Sequence, residues 1–583
     1  MRRKIQGWVG ENSPKIIPLY LSMANEVLQS IRFRERIDQS VQWDEAQCGV
    51  TPGNLASALI LTMFFDKRPP LWRVDQWYDD MNADTQALFG PEAYCYKLND
   101  DALGRMLDKL YEAGLGNLFI QICIQALAKY DIAYTRTHSD TTTISFYGGY
   151  KIKQPVQTGE IDRVTEKEAG GSAAAVRIVR GYNKDHRPEC NQVVVGKIVT
   201  EHGIPLGMAT MNGNTSDVEW NRKALDILEE IHRNGYSQGM YVADCKLMTK
   251  DLFDRLTDPD RPIKFVSRVP ANFADTLERR VLEKAYKQDI WIDLGQLGSG
   301  KRAAYYHGQS FEMEVHDKTV RLLAVRSSAG SERWEHKQEK LQCKLEEAMA
   351  QTMSKQFACL ADAQKEYERF RKTMRENPYT TSVQYECGQR TVRPVGRPSV
   401  KSLKTPKNAE SWSIKITNKG LNESRAQALR QQEESFVLIT NCPEMDDAQI
   451  LRSYKEQQVV EIDFRYLKDS SVCSCVFLKT PQRIEALLML MHVVLLVRSL
   501  LQYRLRKGRK SWGKPAAKIG WNGAVMMEAP TAYYIECKTS GSYFRDVRGS
   551  PGVYDFVVRQ SYDLEIILEM MNMSVDDIMN ALY

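Results

Sequence analysis

The stretch from Ser453 to Lys468, SYKEQQVVEIDFRYLK, decides how the rest of the chain is read. Its spacing predicts one amphipathic helix. Tyr454, Gln457, Glu461, Arg465 and Lys468 fall on one side, and Val459, Val460, Phe464 and Leu467 on the other. The apolar side packs. The polar side sets a lone carboxylate among an aromatic ring, an amide and two cations. A metal ion would use that carboxylate, and phosphate groups would use the Arg and Lys, so phosphoryl-transfer chemistry on nucleic acid is the expectation.

Two more acids stand where strands end. The segment 132–146 is rich in β-branched and aromatic residues, with Asp140 as its central acid. Residues 191–200 and 204–211 flank the turn Glu201-His202-Gly203 and read as a hairpin. A helix from Asp217 to Arg233 follows the capping run Asn214-Thr215-Ser216. Next come a short strand ending at Asp244, a helix over Lys250 to Leu256, and a strand over Ile263 to Ser267.

The pattern at Tyr454, Glu461 and Lys468 resembles the YREK signature of insertion-sequence DDE transposases, with Gln457 where that family has Arg. The run from Gly181 to Gln192 is similar to their GYSKDxRPDxxQ segment, and Gly213 to Asp217 to their GNxSD. The order strand, strand, strand, helix, strand, helix, strand is that of their ribonuclease H-like core.

The resemblance implies an α/β fold: a ribonuclease H-like mixed sheet flanked by helices, an N-terminal helical domain and a large α+β insertion. It implies that Asp140, Asp244 and Glu461 converge to hold Mg²⁺ or Mn²⁺, two ions in all, since these metals take hard oxygen ligands. It assigns Tyr454, Gln457, Arg465 and Lys468 to DNA. The implied activity is binding of terminal inverted repeats, metal-dependent cleavage and strand transfer on double-stranded DNA, by a homodimer in a synaptic complex. A DNA-binding protein descended from a transposase, and a ribonuclease H-like nuclease without strand transfer, are the alternatives. Cys245-Lys246 after the second acid, and Gln457, depart from the family pattern and bear on DNA contacts more than on metal binding.

The expected organisation is a helical DNA-end-binding domain over 1–130, the first part of the core over 131–270, an insertion over 271–445, the catalytic helix over 446–510, and a possible subunit contact over 511–583. A chain of 583 residues supports several such cores. Within the insertion, 291–325 alternates strands and turns, and Ser331 to about Arg375 reads as one long charged helix. The resemblance also makes Trp334 and Trp412 candidates for the tryptophan that in some such transposases stacks on a flipped base, although packing is the plainer role for each.

The net charge of +6 is modest, so binding to a polyanion needs local patches. Arg2-Arg3-Lys4, 390–407 and 504–518 are basic; Arg32, Arg34, Lys67 and Arg68 are phosphate-contact candidates, with ordinary surface charge the plainer reading. Twelve cysteines lack a paired CxxC pattern, Cys473 and Cys475 having no second pair, which predicts reduced thiols in a cytoplasm rather than a structural zinc. His186 and Cys190 are weak as metal ligands for the same reason. The basic start has no apolar run behind it, so a secretory signal is not expected. The apolar stretches 55–65 and 486–497 fall short of the roughly 20 residues of a membrane span and read as buried helices. Gly295 to Lys301 matches the front of a P-loop, but Arg302 replaces the Ser or Thr that would hold magnesium, so a hairpin turn is expected. Gly396-Arg397-Pro398 lies in a basic loop suited to phosphate.

Overall fold

The computed structural model describes residues 15–65, 68–146, 175–298, 303–392, 407–468, 478–512, 529–546, 554–558 and 562–582. The side chains of 391, 392, 407, 458, 459, 461–463, 562 and 563 also lie outside that description. The chain has a mixed α/β fold and divides into two compact units, residues 1–267 with 453–583, and residues 268–452.

The first unit opens with a short strand, β1 (Ile16–Pro18), and a run of helices: α1 (Leu19–Ser30), α2 (Phe33–Ser40), α3 (Pro52–Thr62), α4 (Val74–Asp80), α5 (Thr85–Phe89), α6 (Asp100–Glu112) and α7 (Leu115–Lys129). Thr51 caps α3 by accepting from the Asn54 N–H, with Pro52 in the first turn, where its missing N–H costs nothing. Asn99 caps α6 in the same way, and its Leu103, Met106, Leu107 and Leu110 form the buried stripe.

A mixed sheet follows: β2 (Arg136–Phe146), β3 (Asn191–Thr200), β4 (Pro205–Asn212), α8 (Asp217–Arg233), β5 (Met240–Ala243), α9 (Lys250–Leu256) and β6 (Phe265–Arg268). Within this unit the strands lie in the order β4-β3-β2-β5-β6. β3 runs antiparallel to both neighbours, while β2, β5 and β6 are parallel. Of the parallel strands only β5, Met-Tyr-Val-Ala, is apolar and buried along its whole length, as a strand covered on both faces is; β2 is rich in Thr and Ser yet largely buried.

Gly196 on β3 makes room for α8. A Cβ there would meet the Trp220 ring at 2.2 Å. Trp220 is buried and donates through Nε1 to Ser139 Oγ at 3.1 Å, Ser139 lies 2.7 Å from the Tyr241 hydroxyl, and Tyr241 donates to Asn221 Oδ1 at 2.9 Å. This satisfied buried network fixes β2, β5 and α8 against one another directly beside Asp140.

The long helix Pro481–Lys510 is apolar enough, by length and composition, to cross a membrane, but its apolar stretch is buried inside the unit, as is most of α3. Near the C-terminus, Leu564, Ile567, Leu568, Met570 and Met571 are buried as well, so the helix Tyr562–Met570 packs on its own chain.

In the second unit, α10 (Leu277–Gln288) precedes the antiparallel strands β7 (Ile292–Leu297), β8 (Ala304–Val315) and β9 (Lys318–Ser327), and β13 (Ser435–Thr440) pairs with β9. The P-loop-like glycines 295 and 298 take positive φ on β7 and just beyond it, and residues 299–302 lie outside the described residues. One long helix was expected from 331 to 375. Two are found, α11 (Ser328–Met353) and α12 (Leu360–Thr373). Between them β10 (Gln356–Phe357) pairs with β12 (Lys407–Leu421), which itself forms a long hairpin with β11 (Tyr379–Val392). Pairing with β12 outweighs local helical preference, and Leu345, Met349, Ala363, Tyr367 and Phe370 close a core on Ile414 and Ile416. Trp334 is buried and Trp412 packs against that core. Cys473, Cys475 and Gly396-Arg397-Pro398 lie outside the described residues.

Candidate functional site

The parallel pairing of β2 with β5 sets Arg136, Thr137 and His138 opposite Met240, Tyr241 and Val242. Two residues further along each strand stand Asp140 and Asp244. Adjacent strands lie about 4.8 Å apart, so two carboxylates leave the sheet side by side. Asp244 ends β5 and caps a short 3₁₀ turn, its Oδ1 accepting from the Lys246 N–H at 3.0 Å, while Ser267 Oγ holds its carbonyl at 2.8 Å.

Burial pushes the Asp244 carboxyl up to about 6; the Asp140 and Asp217 carboxylates add to the rise, against the Lys246 N–H and Lys184. Asp140 is raised too, mainly by burial, with Lys184 and the Thr141 N–H opposing and Asp217 reinforcing. The two acids repel each other in a partly desolvated place, which is what a divalent cation relieves.

A third acid joins them. Asp217, at the first turn of α8, accepts from Thr141 Oγ1 at 2.5 Å. Lys184 Nζ bridges the group, 3.4 Å from Asp140, 3.4 Å from Asp217, 2.9 Å from the Thr141 carbonyl and 2.6 Å from Thr141 Oγ1. The segment bearing Lys184 is braced by Asn183, whose Oδ1 accepts from the Asp185 and Arg187 N–H groups. The Asn183 amide donates to Ser145 Oγ and to Gln192 Oε1. Gln192 in turn donates to the Tyr182 and Gly213 carbonyls. A Cβ on Gly181 would meet the Gly213 carbonyl oxygen at 2.2 Å. The two glycine-bearing motifs, about thirty residues apart in sequence, are thus packed backbone to backbone behind the acids.

The stretch 453–468 departs from the single helix expected of it. α14 (Asp447–Lys455) ends before Glu456, and α15 (Gln458–Leu467) starts after Gln457. The join is tight: the Gln457 N–H bonds the Tyr454 carbonyl and the Val460 N–H the Gln457 carbonyl, both three residues back. Contacts with β2 hold the break. Glu456 pairs with Arg136 at 3.1 Å, and the Gln457 amide donates to the Ser139 carbonyl at 3.4 Å. Tyr454 therefore belongs to α14, and only Glu461 and Arg465 of the polar row lie on α15, with Lys468 as its C-cap.

Of the expected apolar side, Val460, Phe464 and Leu467 are buried, and the side chain of Val459 lies outside the described residues. Phe464 lies under the buried Lys197 ammonium, 4.7 Å from the ring centre, and Lys197 is the cross-strand partner of Asp140. α15 thus packs on the sheet at the position of Asp140; the Glu461 side chain lies outside the described residues. Arg465 is exposed, and Lys468 pairs with Asp185 at 2.6 Å.

The donors gathered here are hard oxygens, which suits Mg²⁺ or Mn²⁺. Among the described residues, no group of three His, Cys, Asp or Glu side chains is placed to hold a metal ion. Asp140 and Asp244 are two carboxylates that could serve as ligands. An ammonium, that of Lys184, is seated on the oxygens of Asp140, Asp217 and Thr141.

Sequence reasoning quoted Lys184 and Asp217 inside motifs but gave them no part in the site. No local spacing marks either one, since each lies tens of residues from Asp140 in sequence. Of the candidate phosphate contacts of the N-terminal region, Arg34 is half-buried against Asn25, Ser57 and the Phe89 ring, Arg68 is buried, Arg32 is exposed, and Lys67 lies outside the described residues. Of the basic stretch from 504, Arg504 pairs with Glu26 and Arg506 donates to the Pro530 carbonyl.

Residues 17–124 match the family described as domain of unknown function (DUF4277). No curated protein matches the chain. Among solved structures, the cryo-EM structure of the piggyBac transposase synaptic complex with hairpin DNA is similar at 11% identity, over 86% of this chain and 80% of that one, with a TM-score of 0.36. Likeness at that level leaves fold and function to be argued from this chain's own residues.

Proposed function

We propose that the chain is a DDE transposase of the insertion-sequence type, built on a ribonuclease H-like core, which cuts and joins double-stranded DNA at the ends of its own element. The observation that carries the reading is the side-by-side placement of Asp140, within β2, and Asp244, just past the end of its parallel neighbour β5, with the helix bearing Glu461 packed on the same sheet. The element order from β2 to β6 supports it, since a ribonuclease H-like core needs that order.

Asp140, Asp244 and Glu461 would hold two Mg²⁺ or Mn²⁺ ions, which when bound supply activation of the attacking oxygen and stabilisation of the leaving one. The chain's own residues do the rest. The network of Ser139, Trp220, Tyr241 and Asn221 keeps the acids fixed, as preorganised catalysis requires. Arg465 and Lys468 line the approach to α15 and meet DNA phosphates, Lys468 by leaving Asp185. Gln457 steadies the Ser139 carbonyl and so the peptide preceding Asp140, with Tyr454 one turn behind it.

The test is cleavage of a plasmid carrying the DNA that flanks this gene. Wild-type protein is expected to cut at the inverted repeats in Mg²⁺ or Mn²⁺ and not in EDTA, and Asp140→Asn and Asp244→Asn are expected to lose at least about a thousandfold in rate. Cutting by either variant at the wild-type rate would overturn the proposal.

A further inference from the structure

Lys184 holds an unusual position for a cation so close to a proposed metal site. Its ammonium makes contacts with four oxygens, on Asp140, Asp217, the Thr141 hydroxyl and the Thr141 carbonyl. That is the coordination of a bound cation, delivered on a flexible four-carbon stem from a segment whose backbone is pinned by Asn183 and Gln192.

We propose that Lys184 is a resident counter-ion of the acid site, which yields Asp140 to the incoming divalent cation and withdraws onto Asp217. This inference rests on the metal-binding reading of Asp140 and Asp244, and adds to it a built-in competitor and a fourth carboxylate, Asp217, that receives the displaced ammonium.

Like charges a few ångströms apart repel strongly in a partly buried place, so ammonium and metal cannot both sit close to Asp140. Asp217 and Thr141 Oγ1 already hold one side of the ammonium, so the exchange needs side-chain rotation only. Without metal, Lys184 keeps the acids from facing one another unscreened. With metal, its charge stays within reach of the DNA phosphate to be cut. Occupancy of the site then depends on the metal concentration exceeding what the lysine sets, and the added negative charge of a DNA phosphate favours loading.

The experiment measures Mn²⁺ binding to the full-length protein without DNA, by the loss of the free-ion electron paramagnetic resonance signal, for wild type, Lys184→Met, Lys184→Gln and Asp140→Asn. Lys184→Gln keeps hydrogen-bonding capacity and removes only the charge, so it separates competition from a structural role. Melting in EDTA checks the fold of each variant. Both Lys184 variants are expected to bind Mn²⁺ roughly tenfold more tightly than wild type, and Asp140→Asn to bind it at least tenfold more weakly. A folded Lys184→Gln protein with wild-type or weaker Mn²⁺ affinity overturns the inference while leaving the acid site standing. Equal Mn²⁺ binding by wild type and Asp140→Asn overturns the metal-site reading itself, and this inference with it.

Discussion

Asp140 and Asp244 occupy matching positions along two neighbouring parallel strands, each two residues past the His138–Val242 pair, and burial, reinforced by the Asp140 carboxylate, pushes Asp244 up to about 6. A pair so placed lowers the stability of the metal-free protein and prepares it for cations. Function and stability are opposed at this point.

Replacing Asp244 with Asn tests that opposition. An acid whose folded value is raised holds its proton more tightly when folded, so its contribution is fully present below about 4 and is lost as pH rises through about 6. At pH 8 the ionised Asp244 costs the fold about 1–3 kcal/mol. Asp244→Asn keeps an oxygen for the Lys246 N–H. In EDTA it is expected to melt a few degrees above wild type at pH 8 and to match it near pH 4, while cleavage is lost. A lower melting temperature at pH 8 would contradict the electrostatic account of the pair.

Glu485, in the long buried helix, provides a control away from the acids. Burial pushes it up to about 7 against the Val176 N–H and Lys223, and its Oε1 accepts from that N–H at 2.9 Å. The same sign applies, with stability falling between about 4.5 and 7. Glu485→Gln is expected to flatten this part of the stability profile, raising the melting temperature at pH 8 and leaving it unchanged at pH 4, with cleavage at the wild-type rate. A pH profile parallel to that of wild type would show that Glu485 is not held protonated by burial.

Asp185 and Lys468 form an ion pair between the motif segment and the end of α15. If Lys468 leaves Asp185 for a DNA phosphate, Asp185→Ala should strengthen end binding by removing the competing carboxylate. Lys468→Ala should weaken it and reduce the salt slope by about one, since one fewer counterion is released. Affinity for a terminal-repeat duplex across a salt series reads both. An unchanged slope for Lys468→Ala would remove Lys468 from the DNA contacts.

Gly196→Ala tests the scaffold. The added methyl would strike the Trp220 ring, and moving that ring breaks its bond to Ser139 beside Asp140. A loss of about 1–3 kcal/mol or more is expected, with cleavage falling further than stability alone requires. Unimpaired cleavage would mean that this network does not position Asp140.

The strand bearing Asp140 was legible because β-branched residues run on both sides of a single carboxylate, the strand before Asp244 because a short apolar run ends at that acid, and α8 because Ser216 is a strong cap whose hydroxyl accepts from the Glu219 N–H. The break at Glu456 and Gln457 was not legible. Local periodicity there is uninterrupted, and the break is held by Arg136 and the Ser139 carbonyl, more than three hundred residues away in sequence. The interruption of the charged helix at Gln356 was hidden for the same reason, its partner strand lying far downstream. Lys184 looked like any surface lysine until the chain folded it onto Asp140.

The central claim is that Glu461 completes a metal site with Asp140 and Asp244. An anomalous difference map from crystals soaked in Mn²⁺ tests it most directly. The account predicts a peak between Asp140 and Asp244 at about 2.1–2.4 Å from their carboxylate oxygens, with the Glu461 carboxylate on the same ion or on a second ion about 4 Å away. A map with no ion at Asp140 and Asp244, or with Glu461 turned away from a bound ion, would contradict it.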